Sequence, residues 1–477
     1  MRHPSVPRIA LLLALTATSA LAAETASPER GPVVDLATLA PGEIHSGLGA
    51  APDPTQTFEL YLPSSFDPAK RWPLLLVFDP RSRGKLAAEI FRPVAEELGW
   101  IVASSDNTMS DGPWEPNIRA VNAMFPDLVS RLPVDTGRIY ATGFSGGAML
   151  SWIVGVRTGQ LAGVLSVGGR LPDGLEKRPI GFAFWATAGR SDFNYRPSAE
   201  LDELAAELGV PHRLEYFDGP HTWLSPEEAR RALRWFEVLA MRDGKRPRDD
   251  AFLDAELAAD VAGADALERD GRTLEALRRL EAVVSTYGGL RDVSVVETRL
   301  RALDRSAAAK AARKEEKWAA RYEEQGLRRL TETVWLLRQN EVPPPPSKLR
   351  STLGLQGLLS QRDAGGERGE AASRVLASVS SQLGFYLMRD LFASGDFPKA
   401  VAALAIATEV TPDSPFAWYN LACAQARTGD HKHAIASLER ALDAGLPRPD
   451  QMKSDSDLDS LRDEPAFQQL LARAIAP

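Results

Sequence analysis

At 477 residues the chain is too long for one hydrophobic core and implies two or more domains. Apolar residues make up 44% and charged residues 25%, an ordinary globular balance that excludes wholesale disorder. A net charge of −8 over this length gives no reason to expect nucleic acid or an anionic membrane as the partner.

Residues 1–22 read as a secretory signal. Arg2, His3 and Arg8 precede the apolar run IALLLALTATSALA, and Ala20-Leu21-Ala22 offers a small-x-small cleavage site. The run is short for a membrane span, and no cysteine follows it to carry a lipid. The single cysteine, Cys423, excludes an intramolecular disulfide and reads as a small core residue of an alanine-rich helix. The mature protein is therefore expected to be periplasmic or secreted, from a bacterium, with no integral membrane segment after cleavage.

Residues 23–54, rich in Pro, Gly and Ala, read as an extended lead-in. Over residues 55–242, apolar β runs alternate with helical patterns: TFELYLP, WPLLLVFDP, WIVASSD, RIYATG, LAGVLSVGG, IGFAFWATAG and HRLEYF are separated by helix-period segments. Continuous apolar strands alternating with helices signal a mostly parallel sheet covered on both faces. In such sheets functional groups collect beyond the carboxyl ends of the strands.

GFSGG, Gly143 to Gly147, stands between the strand RIYAT and the apolar helix AMLSWIVGV. Strand, sharp turn and helix, with serine at the turn, is the context of a nucleophile elbow. A serine needs a general base oriented by an acid. Of the six histidines, His3 lies in the signal, His45 in the lead-in, and His431 and His433 belong to the C-terminal region. His212 begins a strand, whereas His221 follows that strand in DGPHTW. For the acid, Asp192 follows IGFAFWATAG directly; Asp218 is a rival three residues before His221, and Asp192 is preferred as coming from a neighbouring strand. Trp114, Phe193, Tyr195 and Trp223 lie in the same loops, where they either line an apolar substrate pocket or pack the loops onto the sheet.

Through RIYATGFSGGAM, ATAGRSD and FDGPHTW, residues 55–242 resemble the α/β-hydrolase superfamily, and within it the secreted esterase and polyhydroxybutyrate-depolymerase-like serine hydrolases. The resemblance implies hydrolysis of an ester, small or polymeric, through an acyl-serine. Ser145 would be the nucleophile, His221 the base, Asp192 the acid, and the N–H of Gly146 an oxyanion donor. Most relatives carry His-Gly after the first central strand. Here the strand runs into Asp79-Pro80-Arg81, and because proline has no N–H, the second oxyanion donor would be Arg81 or Ser82.

Beyond residue 242 the pattern is helical. Residues 243–345 read as a charged helical region in which Gly271, Ala276 and Leu280 form one weak repeat. The run KAARKEEKWAARYEEQGLRRL suggests a solvated helix, EVPPPPSKL a stiff connection and DAGGERGE an exposed loop. In residues 346–477 a spacing of 34 residues carries Gly395, Asp396 and Ala400 onto Gly429, Asp430 and Ala434, and Leu387, Leu404 and Ala407 onto Leu421, Leu438 and Ala441. The pattern, with Trp418 and Ala422, resembles tetratricopeptide repeats, and implies stacked helical hairpins that bind a protein partner.

The chain thus reads as an exported serine esterase fused to a helical-repeat domain. One alternative is a binding protein with a weakened or inactive hydrolase domain, favoured by the missing His-Gly; another is a peptidase or thioesterase using the same triad. No cofactor is expected, and no metal-ligand spacing is found.

Overall fold

The computed structural model describes residues 30–175 and 179–474, so the signal read in residues 1–22 lies outside the described residues. Eight strands form one sheet in the order β1-β2-β4-β3-β5-β6-β7-β8. They are β1 (Ile44–Ala50), β2 (Asp53–Tyr61), β3 (Trp72–Phe78), β4 (Ile101–Ser105), β5 (Val134–Phe144), β6 (Gly163–Val167), β7 (Ala183–Gly189) and β8 (His212–Phe217). β1 and β2 run antiparallel to their neighbours; all other pairings are parallel. Residues 23–54 are thus more than a lead-in, since β1 pairs along β2 and forms one edge.

Strand period sets the two faces. Leu74, Leu76 and Phe78 of β3 enter one core, while Leu75 and Val77 enter the other. The first core is closed by α2 (Glu115–Arg131), α3 (Gly146–Thr158) and α4 (Tyr195–Glu207), through residues such as Phe125, Trp152 and Leu201. The second is closed by α1 (Gly84–Leu98) and α5 (Pro226–Arg242), through Phe91, Trp235 and Phe236. This is the α/β-hydrolase arrangement. The register Phe78↔Gly143, Phe144↔Val167, Val167↔Thr187 and Gly189↔Phe217 brings the carboxyl ends of β3, β5, β6, β7 and β8 to one rim.

The remainder is helical. α6 (Asp250–Arg269) and α7 (Thr273–Tyr287) form a hairpin whose turn includes Gly271 at φ 74°, with Ala276 and Leu280 fully buried. After α8 (Ser294–Asp304) comes the long α9 (Ala307–Gln339), then α10 (Pro346–Leu353), α11 (Leu355–Asp363) and α12 (Gly366–Ser381). A single π-helical turn, Gln382–Tyr386, joins α12 to α13 (Leu387–Ser394). The hairpins α13–α14 (Phe397–Val410) and α15 (Pro415–Arg427)–α16 (His431–Asp443) follow, and α17 (Pro465–Ala474) closes the stack.

Two segments depart from the sequence reading. The charged run in α9 is not simply solvated: Glu323 is buried between Arg196 and Arg374, and Gly326 packs on Val375. DAGGERGE is a loop only at its start, because α12 begins at Gly366 and Glu370 pairs with Arg272.

The two halves are joined through buried charge. Arg213 of β8 donates to Asp260 of α6 at 2.9 Å and to Glu215 at 2.6 Å, and Tyr287 of α7 donates to Asp260 at 3.1 Å. Burial alone would raise the Glu215 carboxyl, but Arg213, Arg279 and Arg231 outweigh it and hold it at about 2.

Candidate active site

Ser145 sits at φ 54°, ψ −116°, between the end of β5 and the start of α3. That left-handed backbone is costly for a non-glycine residue and is characteristic of functional turns. The turn closes only because its flanking glycines lack side chains. A Cβ on Gly143 would stand 2.2 Å from the Gly147 carbonyl, and one on Gly147 would stand 1.9 Å from the Phe78 carbonyl oxygen. The Ser145 N–H donates to the Val167 carbonyl at 2.9 Å, fastening the elbow to β6.

His221 and Asp192 meet at the same rim. Nδ1 of His221 lies 2.9 Å from both carboxylate oxygens of Asp192, which is completely buried. The Asn194 N–H donates to Asp192 at 2.7 Å, and its side chain donates to the Gly168 carbonyl at 2.7 Å, fixing the acid loop. Asp218, the rival acid, is 91% exposed at its side chain and pairs with Arg190 instead. The His221 ring is held between Phe144 and Phe193, with centroids 4.5 and 4.2 Å away. With Nδ1 facing the acid, Nε2 is the nitrogen left for proton transfer. Among the described residues Ser145 Oγ makes no hydrogen bond; such contacts are commonly long in a free enzyme.

The oxyanion side corrects the sequence reading. The Arg81 N–H donates to the Asp79 carboxylate at 2.8 Å, and the Ser82 N–H to the Thr108 carbonyl at 3.0 Å. Neither amide is free for a substrate oxygen. Asp79 is fully buried and also accepts from the Arg83 guanidinium and from Trp223 Nε1 at 2.8 Å. Asp79 thus ties the loop after β3 to the histidine loop. The Gly146 N–H, at the first turn of α3, remains available, as helix N-terminal amides lack intrahelical partners.

The four aromatics divide. Phe193 lies against the His221 ring. Trp114 stands 38% exposed just before α2, beyond the loop that carries Ser110. Trp223 is not a pocket residue: it is buried, bonded to Asp79 and packed on Phe91 and Phe144. Tyr195 is drawn away as well, stacked on Tyr216 at 3.9 Å with the Arg374 guanidinium 4.2 Å from its ring centre. Buried polar anchors, invisible in the sequence, decide both cases.

His431 pairs with Glu464 and His433 with Asp430. Cys423 lies near Asp455 and Asp457, but burial first and then Asp455 push its thiol far up, and Arg427 pairs with Asp457. Among the described residues no helix is long and apolar enough to cross a membrane.

Residues 387–447 match the tetratricopeptide repeat family, spanning α13 to α16. No curated protein sequence matches the chain. Among solved structures, S-formylglutathione hydrolase (FrmB) of Staphylococcus aureus is 13% identical, over 38% of this chain and 90% of that one, with a TM-score of 0.31. FphF, a fluorophosphonate-binding serine hydrolase of the same organism, is 14% identical over 41% of this chain and 98% of its own, with a TM-score of 0.35. An esterase of Pyrobaculum calidifontis is 12% identical over 43% and 87%, with a TM-score of 0.35. Strand order and elbow, rather than these likenesses, define the fold.

Proposed function

We propose that the protein is an exported serine hydrolase that cleaves a carboxylic ester through an acyl-serine, with its repeats serving a protein partner. The observation that carries the reading is the Asp192–His221 pair at 2.9 Å, at the same sheet rim as a serine held at φ 54°. Ser145 Oγ attacks the carbonyl carbon while His221 Nε2 takes its proton. The tetrahedral oxyanion is met by the Gly146 N–H. Collapse expels the alcohol, protonated by His221, and water then releases the acid by the same route in reverse. Asp192 keeps the imidazole in the required tautomer and stabilises its charged form.

A second reading, a hydrolase domain weakened in the service of repeat-based binding, is favoured by one observation: the Arg81 and Ser82 amides are both engaged within the protein. A missing oxyanion donor lowers rates by ~10²–10³. Hydrolysis of short-chain nitrophenyl esters, beside Ser145→Ala, tests the first reading. Turnover that vanishes in the variant supports it, and chain-length preference sizes the acyl pocket. If neither protein turns over and a fluorophosphonate leaves Ser145 unlabelled, the second reading replaces it. The same triad serves peptides and thioesters, so an amide and a thioester of the preferred acyl group complete the panel.

A further inference from the structure

The loop between β4 and α2 lies against the elbow. A Cβ on Gly146 would stand 2.4 Å from Ser110 Cβ, so Ser110 is in direct contact with the residue whose N–H faces the oxyanion. This loop is laced to the loop after β3. The Ser110 N–H donates to the Pro80 carbonyl at 2.9 Å, Thr108 Oγ1 donates to the Asp79 carbonyl at 2.9 Å, and Arg81 bridges Met109 in antiparallel fashion. The next residue, Asp111, is held at φ 68°, a strained value for a non-glycine.

What holds it comes from the far end of the chain. Arg389 of α13 donates through Nη1 to the Asp111 carbonyl at 2.6 Å, across 278 residues. The Tyr386 phenol lies near the Asp111 carboxylate, which accepts from Ser110 Oγ at 2.8 Å. Burial, and then Asp111, push the Tyr386 phenol up to about 12, so it stays a donor at any physiological pH. Tyr386 ends the π-helical turn Gln382–Tyr386 and Arg389 lies in the first turn of helix after it; such turns are rare and recur at functional sites.

The other end of the same continuous helix touches the acid loop. Arg374 donates to the Arg190 carbonyl at 2.9 Å and sits over the Tyr195 ring, while its partner Glu323 also holds Arg196. About 22 Å of helix separates Arg374 from Arg389. One helix of the repeat-bearing half therefore grips the loops on both sides of the triad.

Resting on the hydrolase reading above, we propose that the helix Gly366–Ser394 is a working part of the hydrolase site, with Arg389 the positioning residue that, through Asp111 and Ser110, fixes the Gly146 amide for the oxyanion. Displacing a transition-state donor acts on kcat rather than on ground-state binding.

The full-length protein is assayed as wild type, Arg389→Ala, Arg389→Lys and Tyr386→Phe, with a short nitrophenyl ester and a fluorophosphonate. Amide hydrogen exchange at residues 108–112 is followed in parallel. Arg389 is exposed, so its truncation leaves the fold intact. The expected result for Arg389→Ala is a kcat lower by about tenfold or more, a KM changed less than twofold and slower labelling of Ser145. Exchange at the loop should rise while β5 stays protected. Arg389→Lys, which keeps a donor, should recover most of the rate. Loop exchange unchanged in Arg389→Ala would overturn the latch; faster exchange with kcat and labelling unchanged would overturn the positioning role and leave the hydrolase reading standing. A wild type inert to both reagents would instead sink the hydrolase reading, and the positioning role with it.

Discussion

The two sides of the proposed catalytic rim are built in different ways. On the base side, Ser145, Asp192 and His221 project from the ends of parallel strands, and short local bonds finish the alignment. On the oxyanion side the loop after β3 is shaped by the buried Asp79 carboxylate, which accepts from Arg83 and Trp223, and by a neighbouring loop tied to a distant helix. Strand ends supply rigidity wherever the sheet is well packed. Side-chain ties must be assembled from several chain segments, so this side is more open to adjustment of rate and specificity.

The largest expected effect falls on the base side. His221→Ala should lower kcat by about 10⁴-fold or more and Asp192→Asn by about 10³–10⁴-fold, read as steady-state ester hydrolysis. Should Asp218→Asn abolish turnover while Asp192→Asn spares it, the assignment of the acid fails. On the oxyanion side, Asp79→Ala removes the common acceptor of Arg83 and Trp223. A kcat lower by roughly 10–100-fold is expected, with a stability loss of about 1–3 kcal/mol in urea unfolding. A wild-type kcat in Asp79→Ala would mean the cluster shapes nothing that matters to the reaction.

Away from the rim, Arg213→Ala would leave the buried Glu215 and Asp260 carboxylates with only Arg231 and Arg279 to offset them and should cost about 3 kcal/mol. Because Glu215 is held at about 2, well below its ordinary 4.5, its contribution is complete above pH 4.5 and is lost as the pH falls toward 2. Thermal melts from pH 7 to pH 3 should therefore fall more steeply for wild type than for Arg213→Ala. The smallest effect has the opposite sign. Burial and the neighbouring Glu59 raise Asp106 from 3.8 to about 6, so ionising it above that range works against the folded state. Asp106→Asn should stabilise the protein by about 1–2 kcal/mol at pH 7.5 and by nothing below pH 4, measured as a pH-dependent difference in Tm.

This contrast also explains what could be read from the sequence. The elbow and the two loops of its partners are punctuated by strand ends, and strand ends are written in runs such as RIYATG and IGFAFWATAG. The repeats were legible for a similar reason, since Gly395 and Gly429 take φ 73° and 79° at equivalent turns. β1 was hidden because IHSGLGA holds two glycines and is only partly buried. The Arg81 and Ser82 amides looked available because nothing local shows that the Asp79 carboxylate and the Thr108 carbonyl reach them. Pocket lining and packing could not be told apart for Trp223 and Tyr195 for want of the same information: their partners, Asp79 and Arg374, lie 144 residues before one and far beyond the other. Tertiary ties of this kind leave no periodic trace.

The position of β8 carries one more consequence. It is the last strand of the sheet, paired on one side only with β7, and α7 packs against it. A fragment ending after α5 would lose that cover, leaving an unsheltered strand edge with the Arg213 guanidinium stripped of Asp260. Such a fragment would be a template for strand-to-strand self-association. The helical half thus covers a sheet edge that the α/β part of the chain would otherwise leave open.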